Sequence, residues 1–264
     1  MARGGGLAAR HQSRLAARRG IEGGYPSARR LAAEGATVMM AGRDATQGEG
    51  AAEAIRGSGG RATFVKTDVT DDDQVAALAQ RAADNQGVID VWFNNAGIEG
   101  GIAELAGLDD RTVRELLDTN IKGVYSGMRY AAGHMRNGGL IINTASFVGT
   151  AKPVPLAVAY GGTKAAVVSM TRAAALELAG KGIDVVAISP WVVDTPLVDG
   201  LTGGQGPQAR AAFAAAFAPS AKLTPPEQIA GVVAGLAGRA VSYHSGDVLL
   251  IDAGPSVTPM QGAS

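Results

Sequence analysis

From about residue 28 onward the chain alternates between two hydrophobic periods. Short runs rich in Val and Ile, apolar at nearly every position, predict strands buried on both faces: Thr37 to Ala41, Ala62 to Lys66, Val88 to Asn94, Leu140 to Ala145, Ile183 to Ser189 and Val248 to Asp252. Between them, helical spacing predicts helices over Ala28 to Glu34, Gln47 to Arg56, Asp71 to Asn85, Arg111 to Met135, Val158 to Gly180 and Pro226 to Ala237. Asp71, Asp72 and Asp73 put acids in a first helical turn, where the dipole favours them. This order predicts an α/β fold: a Rossmann-type doubly wound parallel sheet flanked by helices on both faces. No repeat and no interdomain linker interrupts it, so residues 1–264 are expected to form a single domain.

Two segments break the pattern. Gly200 to Ser220 opens with Gly and Pro and then gives a short Ala/Phe helix, Ala209 to Phe217. Such an insertion reads either as a lid over a pocket or as a plain surface excursion. Residues 1–27 are atypical, because Arg10, His11, Gln12, Ser13 and Arg14 stand where an opening strand should be apolar. Residues 1–30 carry seven arginines against one acid, Glu22, while the whole chain has formal net charge zero. The basic start reads as a targeting segment, as a lost first strand, or as a mistranslated stretch.

Composition removes several function classes. With no cysteine, disulfides, thiol catalysis and thiolate metal sites are absent, and His11, His134 and His244 are too scattered to suggest a metal. No apolar run approaches membrane-spanning length, and beyond the first residues no basic surface suggests nucleic acid. A cytoplasmic protein is expected.

The chemistry centres on Tyr160 and Lys164, four residues apart in Tyr160-Gly161-Gly162-Thr163-Lys164, a spacing that puts both on one helix face. An ammonium beside a phenol favours the phenolate, so Lys164 is expected to lower the Tyr160 pKa toward a range useful for proton transfer. Three further motifs follow in order. Asn94-Asn95-Ala96-Gly97 closes the third strand, Asn120 lies in a helical stretch, and Ser146 ends the fourth strand fourteen residues before Tyr160. Pro190-Trp191-Val192-Val193-Asp194-Thr195 then follows the fifth strand.

In the joint order of these motifs the chain resembles the short-chain dehydrogenase/reductase family, from about Ala28 to the C-terminus. The resemblance implies an oxidoreductase that interconverts a secondary alcohol and a ketone by hydride transfer with a nicotinamide cofactor. It implies Tyr160 as the acid/base, Lys164 as its partner and a ribose ligand, Ser146 as a hydrogen-bond donor to the carbonyl oxygen, and Asn120 as holder of a water leading to Lys164. Cofactor contacts are implied at Asn94, Ala96 and Gly97, at Asp68 and Val69 near the adenine, and at Pro190, Val193 and Thr195 near the nicotinamide. Asp68 read alone is equally a helix cap.

The family's glycine-rich phosphate loop maps onto Ala17, Arg18, Glu22 and Gly24, of which only Gly24 fits. At the end of the strand before Asp44, Gly42 stands where an acid would reject a 2′-phosphate, and Arg43 offers a phosphate-binding fork, so NADP is expected ahead of NAD. Trp191 occupies a family glycine position and would either crowd the nicotinamide or turn into the substrate pocket. The interval from Ser146 to Tyr160 is about one residue long, which predicts a small bulge over Lys152 to Pro155 lining the pocket. A small-molecule alcohol or ketone substrate and a homotetramer or homodimer are implied as partners. The rival is a fold relative with impaired cofactor binding that serves as a binding or assembly subunit.

Overall fold

A computed structural model describes residues 24–253 and the strand 257–259, apart from Ile102 and residues 196–197, 200–201 and 203–205. Gly24 caps helix α1 (Tyr25–Ala33), which leads to strand β1 (Thr37–Gly42), α2 (Ala45–Gly57) and β2 (Arg61–Lys66). Next come α3 (Asp72–Gln86), β3 (Ile89–Asn94), α4 (Asp110–Leu117), α5 (Gly123–Ala132) and β4 (Met135–Thr144). The chain ends with α6 (Val158–Leu178), β5 (Asp184–Pro190), α7 (Pro207–Phe217), α8 (Pro226–Ala237), β6 (Val248–Ile251) and β7 (Val257–Pro259). Helix starts are written in side chains: Asp44, Asp71 and Asp109 each accept a backbone N–H of the following first turn, at 2.8 to 3.2 Å.

Strands β3 to β6 are parallel in the order 3-4-5-6, and β7 closes the edge antiparallel to β6. Alternation along β4 and β5 sorts side chains to two helical layers. Ile141, Val185 and Ala187 pack with Val167, Ala175 and Leu178 of α6 on one face. Leu140, Ile142, Val186 and Ile188 pack with Ile229, Val233 and Leu236 of α8 on the other. Val185, Val186, Ala187 and Ile188 are completely buried, as a sheet covered on both sides requires. This is the expected α/β architecture.

Among the described residues the sheet is seen as two pieces, β1–β2 and β3–β7. The strand expected to open the sheet would precede α1, and that stretch lies outside the described residues. Helix α1 links the pieces, since Ala28 and Ala32 pack with Met40 of β1 while Leu31 packs on the cluster beneath α8. The single helix predicted over Arg111 to Met135 is divided into α4 and α5 by a π turn, Asp118–Lys122, where the Gly123 amide reaches back five residues to Asp118. Strand β4 begins earlier than predicted, at Met135, and β7 has no apolar run to announce it.

Candidate active site

Tyr160 and Lys164 project from the first two turns of α6, and Ser146 lies just past the end of β4, which α6 covers. All three line one cavity of about 1400 Å³, counting its open mouth. Lys164 is buried, its Nζ donates to the Thr144 carbonyl at 2.8 Å, and it lies 5.8 Å from the centre of the Tyr160 ring. The Ser146 hydroxyl stands beside the phenol and favours its ionised form. Gly97 passes beneath them: a Cβ there would meet Lys164 Nζ and Asn120 Oδ1, each at 3.3 Å. Only a residue without a side chain fits that approach comfortably.

Electrostatics run opposite to the sequence expectation. Burial pushes the Tyr160 phenol up to about 12, helped by the Glu99 carboxylate and opposed by the Ser146 hydroxyl. Burial likewise pushes the Lys164 ammonium down to about 8. Desolvation dominates because both groups leave water for a largely apolar cavity, and Lys164 is not among the groups that shift the phenol.

Asn120 is fully buried in the π turn. Its Oδ1 accepts from Ile98 N–H at 2.8 Å, and its Nδ2 donates to the Ile98 carbonyl at 2.7 Å and to Thr163 Oγ at 3.0 Å. Both amide hydrogens are thus used within the protein, and what remains for a water is acceptor capacity on the side facing Gly97 and Lys164.

The cofactor residues read from sequence divide into two sets. Gly97, Pro190, Val193 and Thr195 line the cavity with Tyr160 and Lys164. Asn94 and Ala96 do not. The Asn94 amide is taken up by Trp92 Nε1 and Asn143 Oδ1, both at 2.8 Å, in a network that Asn143 extends to Thr171 on α6 at 2.9 Å. Asp68 accepts from both Thr70 N–H and Thr70 Oγ, which makes it a turn residue, and the Val69 side chain rests on Gly123. Gly24 caps α1, and Arg43 is exposed just past β1, both away from the cavity lining. Ala17, Arg18 and Glu22 lie outside the described residues.

Sequence reasoning missed Asn95, Glu99 and Thr144, which line the cavity. Asn95 stands beside Asn94 in an Asn-Asn pair, and the sequence alone does not say which of the two amides faces the site.

Trp191 turns into the pocket wall. Its indole stacks on Phe147 with centroids 4.7 Å apart and planes 19° off parallel, and it packs with Phe213 and Phe217 of α7. Val154, from the predicted bulge, lines the same wall. Residues 207–217 therefore form part of the pocket, which favours the lid over the surface excursion. Arg210 of α7 ties it back to the loop after β5 through ion pairs with Asp194 and Asp199. Where this cavity meets a nicotinamide group, the chain fits: Gly97 leaves room against Lys164, and Pro190, Val193 and Thr195 stand opposite. Of the residues mapped to the phosphate loop, only Gly24 is among the described residues.

A Rossmann-type α/β fold with a buried Lys, a cavity Tyr and a Ser at the strand end defines a class of oxidoreductase. A family profile described as Enoyl-(Acyl carrier protein) reductase matches residues 15–256. The chain is 39% identical to cis-4-hydroxycyclohexanecarboxylate dehydrogenase of Sinomonas cyclohexanicum over 88% of this chain and 91% of that one. It is 36% identical to 3beta-hydroxysteroid dehydrogenase 1 of Eggerthella lenta over 89% and 90%. The solved structure of levodione reductase superposes with a TM-score of 0.82 at 30% identity, over 88% of this chain and 92% of that one. The chain belongs to the short-chain dehydrogenase/reductase family, and it is an oxidoreductase of the class acting on CH–OH groups.

Proposed function

We propose that the chain interconverts a secondary alcohol and a ketone with NADP(H), NAD(H) being the second choice. The observation that carries this reading is the convergence of Tyr160, Ser146 and Lys164 on one cavity walled mainly by apolar groups. When bound, the cofactor supplies or accepts the hydride. Tyr160 passes a proton to or from the substrate oxygen, and Ser146 hydrogen-bonds that oxygen as charge develops on it. Lys164 sits beneath the phenol, and the free side of Asn120 Oδ1 faces the same space, so a water there would connect the ammonium to solvent. Gly97, Pro190, Val193 and Thr195 hold the nicotinamide end. At the other end of the cofactor, Gly42 and the exposed Arg43 favour a 2′-phosphate. The stacked Trp191 and Phe147, with Val198 and Phe213, suit an alicyclic alcohol, in keeping with the ring compounds named in two of the relatives.

Exposed Leu117, Tyr125 and Leu176 on α4, α5 and α6 support a homodimer or homotetramer through those helices. No described helix is long and apolar enough to cross a membrane, and a cytoplasmic setting suits the reading. Initial rates of NADPH and NADH oxidation with a panel of cyclic ketones test it, together with Tyr160→Phe, which is expected to lose at least about a hundredfold in kcat. Undiminished activity in that variant would assign the proton to another group.

One feature of the sequence favours a second reading, a binding or assembly subunit with impaired cofactor binding: of Ala17, Arg18, Glu22 and Gly24, only Gly24 fits the family's phosphate loop. Fluorescence titration with NADPH and NADH separates the two. Absence of binding by either would select the second reading.

A further inference from the structure

Ser146 has to keep its hydroxyl available to a substrate oxygen, so its own side-chain bonds cannot be what fixes its aim. That hydroxyl accepts from the Val148 N–H at 3.4 Å, too long to hold it still. The aim must come from the backbone, and the turn after β4 is tied to give it. The Gly149 N–H donates to the Ser146 carbonyl at 3.0 Å, and the Phe147 carbonyl accepts from the Ala151 and Lys152 N–H groups at 2.8 and 3.0 Å. The turn also presses directly on α6. A Cβ on Gly149 would come within 2.5 Å of the Ala165 nitrogen and 2.7 Å of the Lys164 carbonyl carbon.

One side chain fastens this turn to the sheet. Thr150 Oγ donates to the Ser146 carbonyl at 3.0 Å and lies 2.8 Å from Ser189 Oγ. A hydroxyl has one hydrogen to give, and a carbonyl can only accept. The Thr150 hydrogen is therefore spent on Ser146, and Ser189 is the donor in the second bond. Ser189 is completely buried on β5, and its neighbour Ile188 accepts the Ala145 N–H at 2.8 Å. A directed chain thus runs from Ser189 through Thr150 to the carbonyl of Ser146, beside the phenol. Neither Thr150 nor Ser189 lines the cavity.

We propose that Thr150 is a positioning residue for the reaction: braced by Ser189, it holds the Ser146 backbone so that the hydroxyl faces both the phenol and the substrate oxygen. It acts through Ser146 and touches neither substrate nor cofactor. This rests on the alcohol–ketone reading and adds to it a group outside the cavity. A hydrogen-bond donor aimed at a developing negative charge works only at the right place, and a shift of about 1 Å can cost up to about a hundredfold in rate.

Three variants of the full chain separate aiming from folding. Thr150→Val keeps the side chain's shape and removes both bonds, Thr150→Ser keeps both, and Ser189→Ala removes the outer one. In cyclic ketone reduction, Thr150→Val is expected to lose at least about tenfold in kcat with KM within about threefold. Thr150→Ser should restore kcat to within about threefold of wild type, and Ser189→Ala should fall between. In a Ser146→Ala background, Thr150→Val should change kcat by less than about threefold, because the group it aims is gone. Crystal structures of wild type, Thr150→Val and Thr150→Ser give a readout that needs no turnover. The Ser146 hydroxyl should move by about 1 Å relative to the Tyr160 hydroxyl in the valine variant and stay in place in the serine variant. Wild-type kcat in Thr150→Val, an equal loss in the Ser146→Ala background, or an unmoved Ser146 hydroxyl overturns the proposal. Thr150→Ala takes the place of the valine variant if circular dichroism shows that it folds poorly. A wild-type protein that reduces none of the ketones counts against the alcohol–ketone reading, and the crystal structures then decide on Thr150 by themselves.

Discussion

The Asn120 side chain holds both polar groups of Ile98, accepting from its N–H at 2.8 Å and donating to its carbonyl at 2.7 Å. It ties the chain that carries Gly97 and Glu99 to the π turn, and through Thr163 to the helix that carries Tyr160. Asn120→Ala would leave two backbone groups of a half-buried segment without partners. A loss of about 3 kcal/mol in urea unfolding is expected, with activity falling further than stability at temperatures where the variant is folded. Asn120→Asp can replace the acceptor but cannot donate to Ile98 when ionised, so it should be closer to alanine than to wild type.

The Tyr160 phenol gives a pH prediction with a definite sign. Pushed up to about 12 by burial and Glu99, it stays protonated at neutral pH, the form that donates to a carbonyl. Ketone reduction should therefore hold level through neutral pH. Alcohol oxidation, which needs the phenolate, should climb as pH rises, without a plateau below pH 9. Initial rates in both directions from pH 6 to 10 check this. Glu99→Gln should move the rise to lower pH, because the group that helps hold the proton on is gone.

Lys164 offers a stability test independent of activity. Its pKa falls from 10.5 to about 8 on folding, so the unfolded chain binds the proton more tightly between those values. Stability from this group therefore rises with pH from about 8 to about 10.5, and below that window the buried charge costs about 3 kcal/mol. Lys164→Met removes the cost and leaves the Thr144 carbonyl unpaired, for about 1–3 kcal/mol. At pH 7 the variant should be as stable as wild type or slightly more so, and almost inactive. The difference in Tm between the two should shift in favour of wild type between pH 7 and 10. A difference constant with pH would show that Lys164 titrates like an exposed lysine.

The layered fold was legible because strands covered on both faces have to be apolar at every position, and Val185 to Ile188 are. The order of Asn120, Ser146, Tyr160 and Lys164 was legible because each motif is local. What the sequence hid is nonlocal. Asn94 and Asn95 look alike on paper, and only the packing of β3 against β4 and α5 turns Asn94 toward Asn143 and leaves Asn95 at the cavity. The raised phenol pKa was equally hidden, since spacing reports which charge is near and says nothing of how much water is lost. Trp191 could have gone either way until Phe147, two elements earlier in the chain, was seen stacked against it.

Trp191 and Phe147 join the end of β5 to the loop after β4, and α7 closes over them through Phe213 and Phe217. Trp191→Ala removes the stack and opens space in a half-buried cluster, at about 2 kcal/mol. The expected kinetic effect is a KM for cyclic ketones raised about tenfold with a smaller change in kcat, because apolar contact is lost from ground and transition states alike. A fall in kcat with KM unchanged would instead place the indole against the reacting atoms.

Arg210 pairs with both Asp194 and Asp199, and its side chain is only 20% exposed, so the guanidinium is a partly buried latch between α7 and the loop that carries Val193 and Thr195. Exposed pairs of this kind contribute little, but a shielded arginine with two carboxylates has more to lose. Arg210→Ala leaves two acids facing each other at the base of the lid, and their repulsion should favour its opening. The expected outcome is a KM raised fivefold or more for apolar substrates, with kcat within about threefold of wild type where closure is not rate-limiting. Limited proteolysis should cut the variant faster within residues 199–220. Arg210→Lys keeps one charge without the fork and should fall between the two, since a single ammonium cannot hold both carboxylates in the same geometry. Equal KM and equal proteolysis in all three proteins would mean that α7 is held by Phe213 and Phe217 alone.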